Sequence, residues 1–285
     1  MRISYCTWGM MKVDIEQAIP AIARIGYRAI ELAVTPGWPT ELATLDPGKR
    51  RRIRELLGEH HLGLSAVAAH TSMAESDADT NAANLKFLRE SIDLTAELAR
   101  PSEPAITASL VGGGEKEWDA KKELIAERVR SLGEYAAKRR VTLAVEPHCG
   151  TALDTPEKVL WLMKRVDHPA VRVNFDISHF DIIGIGIDEC VPLMAPWSVH
   201  THVKDQRGRY PSHEFLTPGS GPFDFTHYLA AMHRAGYTGT IGMEVSGMVQ
   251  RKPGYDPFVD AALGYYALRH AFNASGAPLD ESGAG

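Results

Sequence analysis

The chain has 285 residues, 44% of them hydrophobic, with 31 basic and 36 acidic side chains and a formal net charge of −5. That is apolar material for one large domain or two ordinary ones, and the acidic balance gives no electrostatic footprint for nucleic acid. No apolar run approaches the ~20 residues of a membrane span.

In chain order, Met1-Arg2-Ile3-Ser4-Tyr5-Cys6 is expected to enter a strand directly, without a signal peptide. Strands are predicted over 2–6, 28–33, 62–68, 104–109, 141–146, 171–176, 198–203 and 239–244. Helices are predicted over 14–25, 47–60, 81–99, 119–139, 155–166, 188–195, 223–235 and 256–272. Leu124, Ile125, Val129, Leu132, Tyr135 and Ala136 mark one stripe of the fourth helix. Thr155-Pro156 and Asp14 read as helix starts. Gly26, Gly133 and Gly236 fall at helix ends or close-packing points. Eight strands alternating with eight helices predict an α/β fold, a single (β/α)8 TIM barrel over residues 1–274. An open doubly wound sheet is the alternative. Residues 275–285 are small and polar and are expected to form a flexible tail. Cys6, Cys149 and Cys190 are widely spaced and odd in number, which points to a reducing cytoplasm rather than a disulfide framework. Cys149 has no base placed for it and is read as a bland thiol.

Four strands of the second half end on metal-binding side chains: Glu146, Asp176, His202 and Glu244. In a parallel barrel all such ends point to one rim, where the active site sits. A carboxylate closing a buried strand costs several kcal/mol unless it is paired or metal-bound. Three oxygen donors and one imidazole suit one divalent ion, Mn²⁺ ahead of Mg²⁺ or Co²⁺. His179 follows Asp176 on the loop beyond its strand and is expected to face the pocket. His202 and Lys204 share one face of an extended segment, with His200. Lys204 either holds a substrate oxygen or neutralises the carboxylates. Arg207 binds substrate or is a surface charge, and His70 ends the third strand at the same rim. His148 follows Glu146 by two. Trp8, Trp38 and Trp118 are placed in rim loops or at helix starts, where flat rings suit sugars. The stretch Pro218-Gly219-Ser220-Gly221-Pro222 reads as a tight turn rather than a phosphate cradle, with Asp224 at the helix start.

Val145-Glu146-Pro147-His148, Asn174-Phe175-Asp176-Ile177-Ser178-His179, His200-Thr201-His202-Val203-Lys204-Asp205 and Gly242-Met243-Glu244 together resemble the xylose-isomerase-like TIM-barrel superfamily, over roughly residues 1–272. The resemblance implies that Glu146, Asp176, His202 and Glu244 bind one ion, that Glu146 and Glu244 double as acid and base, and that His179 and Arg207 touch substrate. Two departures stand out. Ketohexose 3-epimerases of this group carry a further glutamate six residues after the first metal glutamate, where this chain has Ala152. Endonuclease-IV-type enzymes need extra zinc ligands, where this chain has Ser109, Leu110 and Ser212-His213-Glu214.

The expected function is therefore proton abstraction next to a carbonyl of a keto sugar or sugar derivative, in an isomerase or epimerase. A dehydratase or other lyase sharing the first step is the alternative. An endonuclease-IV-like phosphodiesterase would need two or three ions, and a non-catalytic barrel is a further class. The expected partner is a small sugar, with no nucleic acid and no membrane, in a cytoplasmic protein that forms a homo-oligomer or works with a second subunit.

Overall fold

In the computed structural model, which describes residues 1–282, the strands are β1 (Arg2–Cys6), β2 (Ala29–Ala33), β3 (Gly63–Ala68), β4 (Ile106–Leu110), β5 (Thr142–Glu146), β6 (Val171–Asp176), β7 (Ser198–Val203), β8 (Asp205–Arg207), β9 (Glu214–Leu216) and β10 (Thr240–Met243). β1 to β7 and β10 close into one parallel barrel. Pairing of Ser4 with Gly242 joins its first and last staves, which excludes the open sheet. The helices are α1 (Ile15–Ile25), α2 (Pro47–Glu59), α3 (Ala78–Leu98), α4 (Trp118–Ala137), α5 (Pro156–Val166), α6 (Ile177–Asp181), α7 (Ile187–Met194), α8 (Phe225–Arg234), α9 (Gly247–Gln250) and α10 (Pro257–Ser275). Among the described residues no helix is long and apolar enough to cross a membrane.

Alternation along each strand sorts the side chains into two layers. Ile30, Leu32, Leu143, Val145, Val173, Phe175, Ile241 and Met243 belong to the large core shared with the helices. Ala66, Ile106, Ala108 and Ala144 take the other parity and form a separate small cluster inside the barrel. The same parity sends Glu31, Glu146, Asn174, Asp176 and His202 inward. A residue type that packs poorly against helices is thereby delivered to the barrel axis.

The helix starts behave as their sequences predict. Asp14 accepts from the Glu16 amide and Thr155 from the Lys158 amide. Gly26 ends α1 with φ +125°, a conformation that favours glycine. Gly133 lies on the buried face of α4, where an added Cβ would meet Val171 Cγ2 at 2.4 Å. The predicted stripe of α4 needs one correction: Leu124 is 38% exposed and Tyr135 only partly buried, while Ile125, Val129, Leu132 and Ala136 carry the contact. One residue is about 100° of helix, so an apolar neighbour of the stripe rolls off it.

The short elements α6, α9 and the β8–β9 hairpin are absent from the predicted set. The extended run expected over 202–207 breaks at Lys204, after which Asp205–Arg207 pairs antiparallel with Glu214–Leu216. The 218–222 turn does cradle an anion, but an internal one. The amides of Gly219 (3.0 Å), Gly221 (2.8 Å) and Phe223 (3.1 Å) all donate to the Asp205 carboxylate. The stretch expected to be a tail starts in the last residue of α10 and then crosses the bottom of the barrel. There the Met1 ammonium donates to the Pro278 carbonyl at 2.9 Å and Arg2 pairs with Asp280 at 3.0 Å. Residues 283–285 lie outside the described residues.

Candidate metal centre and active-site pocket

Glu146 and Asp176 close β5 and β6, His202 is the penultimate residue of β7, and Glu244 follows β10 directly. Asp176 pairs in register with His202, and His202 with Gly242, so neighbouring staves end at one height. Four donor atoms, one from each residue, lie within 4.8 Å of one another. His202 Nδ1 is 3.5 Å from Glu146 Oε1 and 3.3 Å from Glu244 Oε2.

Three of these four side chains are held by a neighbour. Asp176 Oδ1 accepts from the Ser178 amide (2.9 Å) and hydroxyl (2.6 Å) at the start of α6. That leaves Oδ2 for the centre. Asn174 Nδ2 donates to Glu146 Oε2 at 3.1 Å. His202 Nε2 lies 2.5 Å from Glu31 Oε2, which fixes the ring and leaves Nδ1 toward the carboxylates.

Two buried carboxylates and a partly buried third in one place require cations. Lys204 supplies one, bridging Asp176 and Glu244, with 2.5 Å to Glu244 Oε2. Burial raises the Asp176 carboxyl above its usual range, against the pull of Lys204. Burial also works against charge on Lys204, but Asp176 and Glu244 raise its ammonium further. Burial opposes the Glu146 carboxylate, yet His202 and His70 hold it well below the usual range. Burial opposes the His202 imidazolium, yet Glu31 and Glu146 hold it well above the usual histidine range. A cation is thus favoured here from every side. The donor set of three carboxylate oxygens and one oriented imidazole fits a hard divalent ion.

Above these groups lies a cavity of about 360 Å³, lined by Trp8, His70, His179, Lys204, Tyr210 and Arg251 among others. Trp8 packs on Trp38 (ring centroids 4.7 Å) and on His70 (5.3 Å), so the two tryptophans build one wall of the rim. Trp118 is instead buried against Trp161. His179 is 1% exposed, within the short helix α6 and not on a solvated loop. Its Nε2 points at Asp176 Oδ2 from 3.5 Å.

Arg207 must be corrected. It lies outside the cavity lining, 63% exposed, and pairs with Glu214 at 2.6 Å. The β8–β9 hairpin turns the chain away from the rim just before it. His200 shares the inward face of His202 as expected, and its Nε2 faces Glu31 Oε1 at 3.4 Å, below the four side chains.

Residues 19–261 match the family described as xylose isomerase-like TIM barrel. The chain belongs to that family. Its curated relatives include inosose dehydratases. The one from Lacticaseibacillus casei is 23% identical over 255 residues, 82% of each chain. The one from Geobacillus thermodenitrificans is 26% identical over 145 residues, 46% of this chain, and the match spans about half (47%) of that relative's length. Among solved structures, a xylose isomerase-like TIM-barrel protein from Mycobacterium smegmatis in complex with magnesium superposes with a TM-score of 0.72 at 20% identity, covering 96% of this chain and 97% of the other. A 3-keto-D-glucoside 4-epimerase from E. coli reaches 0.77 at 15% identity, covering 95% and 99%. At such identities the superpositions establish the shared fold.

Within this xylose isomerase-like barrel, three groups escape a reading that follows strand ends alone. Glu31 sits mid-strand in Ala29-Ile30-Glu31-Leu32-Ala33 and is completely buried. A lone acid inside an apolar strand was the available signal. Asn174, two residues before Asp176, shares its inward parity. Arg251 reaches the cavity from α9, and no periodicity in the sequence announces it.

Proposed function

We propose that the chain is a divalent-metal-dependent isomerase or epimerase that removes a proton next to the carbonyl of a keto sugar or sugar derivative. The observation that carries this reading is the pair of glutamates in one ligand set, both carboxylates reaching His202 Nδ1. A divalent ion held by Glu146, Asp176, His202 and Glu244, Mn²⁺ or else Mg²⁺ or Co²⁺, would supply Lewis-acid stabilisation of a developing enediolate. One of the two glutamates takes the proton and the other returns it. Return to the opposite face gives an epimer, and return to the adjacent carbon gives an isomer. Asn174 and His202 fix the Glu146 carboxylate, so it meets the substrate already oriented. Lys204 and His179 offer hydrogen bonds to substrate oxygens, His70 borders the same space, and Trp8 gives a flat wall for the apolar face of a sugar. Leu110, Phe215 and Met248 add apolar surface to the same lining.

The names of the curated relatives favour a second reading, a dehydratase, in which the same proton loss is followed by departure of a β-hydroxyl. One experiment addresses both. Keto sugars are incubated with the metal-replete protein in D₂O and followed by NMR. Deuterium at the carbon next to the carbonyl with retained mass otherwise means isomerase or epimerase. An unsaturated product with loss of water means dehydratase. If no keto sugar exchanges or eliminates, proton abstraction is the wrong chemistry.

A further inference from the structure

One cation in the active-site pocket has no counter-charge. Histidines and the Cys149 thiol aside, the ionic groups lining the cavity are Glu146, Lys204, Glu244 and Arg251. The first three belong to the carboxylate centre, where Lys204 bridges Asp176 and Glu244 and His202 reaches Glu146 and Glu244. Arg251 stands apart on the outer wall. The cations near it in the chain or on the β8–β9 hairpin are matched: Lys252 with Glu214 (2.5 Å), Arg207 with Glu214 (2.6 Å) and Arg209 with Asp181 (3.9 Å). Among the described residues the Arg251 guanidinium has no such partner.

The segment that carries it is held from both sides. Ser246 accepts from the Met248 amide at 3.1 Å and starts α9, and the Arg251 amide donates to the Gly247 carbonyl at 3.2 Å. Gln250 Nε2 donates to the Trp8 carbonyl (3.0 Å) and the Val245 carbonyl (2.8 Å), which fastens α9 to the tryptophan side of the rim. On the other side the Phe215 amide donates to Met248 Sδ at 3.5 Å, which ties α9 to the β8–β9 hairpin. Gly247 is itself in the cavity lining, and a Cβ added there would lie 3.1 Å from Arg251 Nη1. The guanidinium therefore folds back over the glycine, on the cavity side of α9.

We infer that Arg251 sets the specificity of this pocket, and that the substrate is an anionic keto sugar bearing a carboxylate or phosphate at the end remote from its carbonyl. This deepens the proposed reaction and rests on it for the position of the carbonyl. Charge carries the argument. A divalent ion and Lys204 balance the three carboxylates of the centre, and Glu31 is held between His200 and His202. Arg251 is then the surplus. An unmatched charge in a cleft with apolar walls focuses its field on the space it faces. Its planar fork fits a carboxylate or a phosphate through two parallel charge-assisted hydrogen bonds, a geometry that a neutral hydroxyl does not complete. Arg207, the other guanidinium considered for substrate, is engaged with Glu214 outside the lining.

Calorimetry with three ketoses tests it. Mg²⁺-loaded protein is titrated with D-fructose, D-fructuronate and D-fructose 6-phosphate, which share a ketone and differ at the sixth carbon. At least one anionic ketose should bind about tenfold or more tightly than fructose, as a hydrogen-bonded charge pair allows, and which one does so separates carboxylate from phosphate. Arg251→Gln should cut that advantage below about threefold, and Arg251→Lys should restore part of it. Lys252→Gln, next in the chain but outside the lining, should keep it whole. Fructose binding as tightly as both anions, an advantage that survives Arg251→Gln, an equal loss in Lys252→Gln, or no binding of either anion would each overturn the inference. Failure of the reaction reads differently. An anionic ketose that binds through Arg251 but exchanges no deuterium in D₂O removes proton abstraction and leaves the anion preference standing.

Discussion

The two halves of this barrel share a backbone and differ in what closes their staves. In the first half the strands run out on Cys6, Ala33, Ala68 and Leu110. In the second, Glu146 and Asp176 end β5 and β6, His202 is the last inward residue of β7, and Glu244 follows β10 directly. The register is continuous across the seam, with Leu110 paired to Glu146. Geometry therefore offers the same rim to both halves, and only side-chain chemistry makes one of them a centre. Scattering four ionisable groups around eight staves would leave each to be compensated alone, at several kcal/mol apiece. Placed on neighbouring staves, they share cations and hydrogen bonds. The apolar half contributes by withholding water, which strengthens every charge interaction opposite it.

The largest way to break this division is at Glu146. Glu146→Gln keeps the volume and the Asn174 contact but removes the charge and the base. Turnover should fall by roughly 10²–10⁴-fold, the usual contribution of a positioned acid or base, with the circular dichroism spectrum unchanged. A variant that keeps its turnover to within tenfold would mean that the ligand half is not where the chemistry happens.

The sequence made this division readable because period-two alternation and strand ends are local signals. All eight barrel strands fall within two residues of their predicted bounds, and the four proposed ligands stand within one residue of where those strands stop. What stayed hidden is what depends on three dimensions. Arg207 reads as a rim residue only if the segment after His202 runs straight, and hairpin pairing with Glu214–Leu216 carries it outward. Arg251 arrives from a four-residue helix too short to show a period. Asp205 reads as a charge on that same segment, yet it is buried and accepts from three amides over residues 219–223. Glu31 is the instructive miss. Its partner is 171 residues away in the chain, so nothing local explains it.

Glu31 also sharpens the comparison, being the one charge that the first half sends into the barrel beside the ligands. Its carboxylate is fully buried. Burial opposes its charge, but His202 and His200 hold it well below the usual carboxylate range. It acts on the centre through His202. Glu31→Gln should therefore leave the four ligands present and weaken metal binding about 10–100-fold, the usual cost of losing such an outer partner. Isothermal titration with Mn²⁺ measures this directly. Binding unchanged in Glu31→Gln would show that the two halves are independent and that His202 is oriented by packing alone.

The smallest effect belongs to the opposite end of the barrel, where charge serves closure and not chemistry. Asp280 accepts from Ser282, against the opposing effect of burial, and pairs with Arg2 at 3.0 Å; its carboxyl is held down at about 2. A depressed carboxyl stabilises the fold above its unfolded value and loses that contribution as pH falls through the folded one. The Asp280 side chain is 42% exposed, so solvent screening limits the gain to about 0.5 kcal/mol. Asp280→Asn should then lower the urea midpoint slightly near neutral pH, and the two midpoints should converge as pH falls toward about 2. Turnover should not change. A gap that persists into acid would mean that the 276–282 segment is held by its backbone bonds to Met1 and by packing, with no electrostatic share.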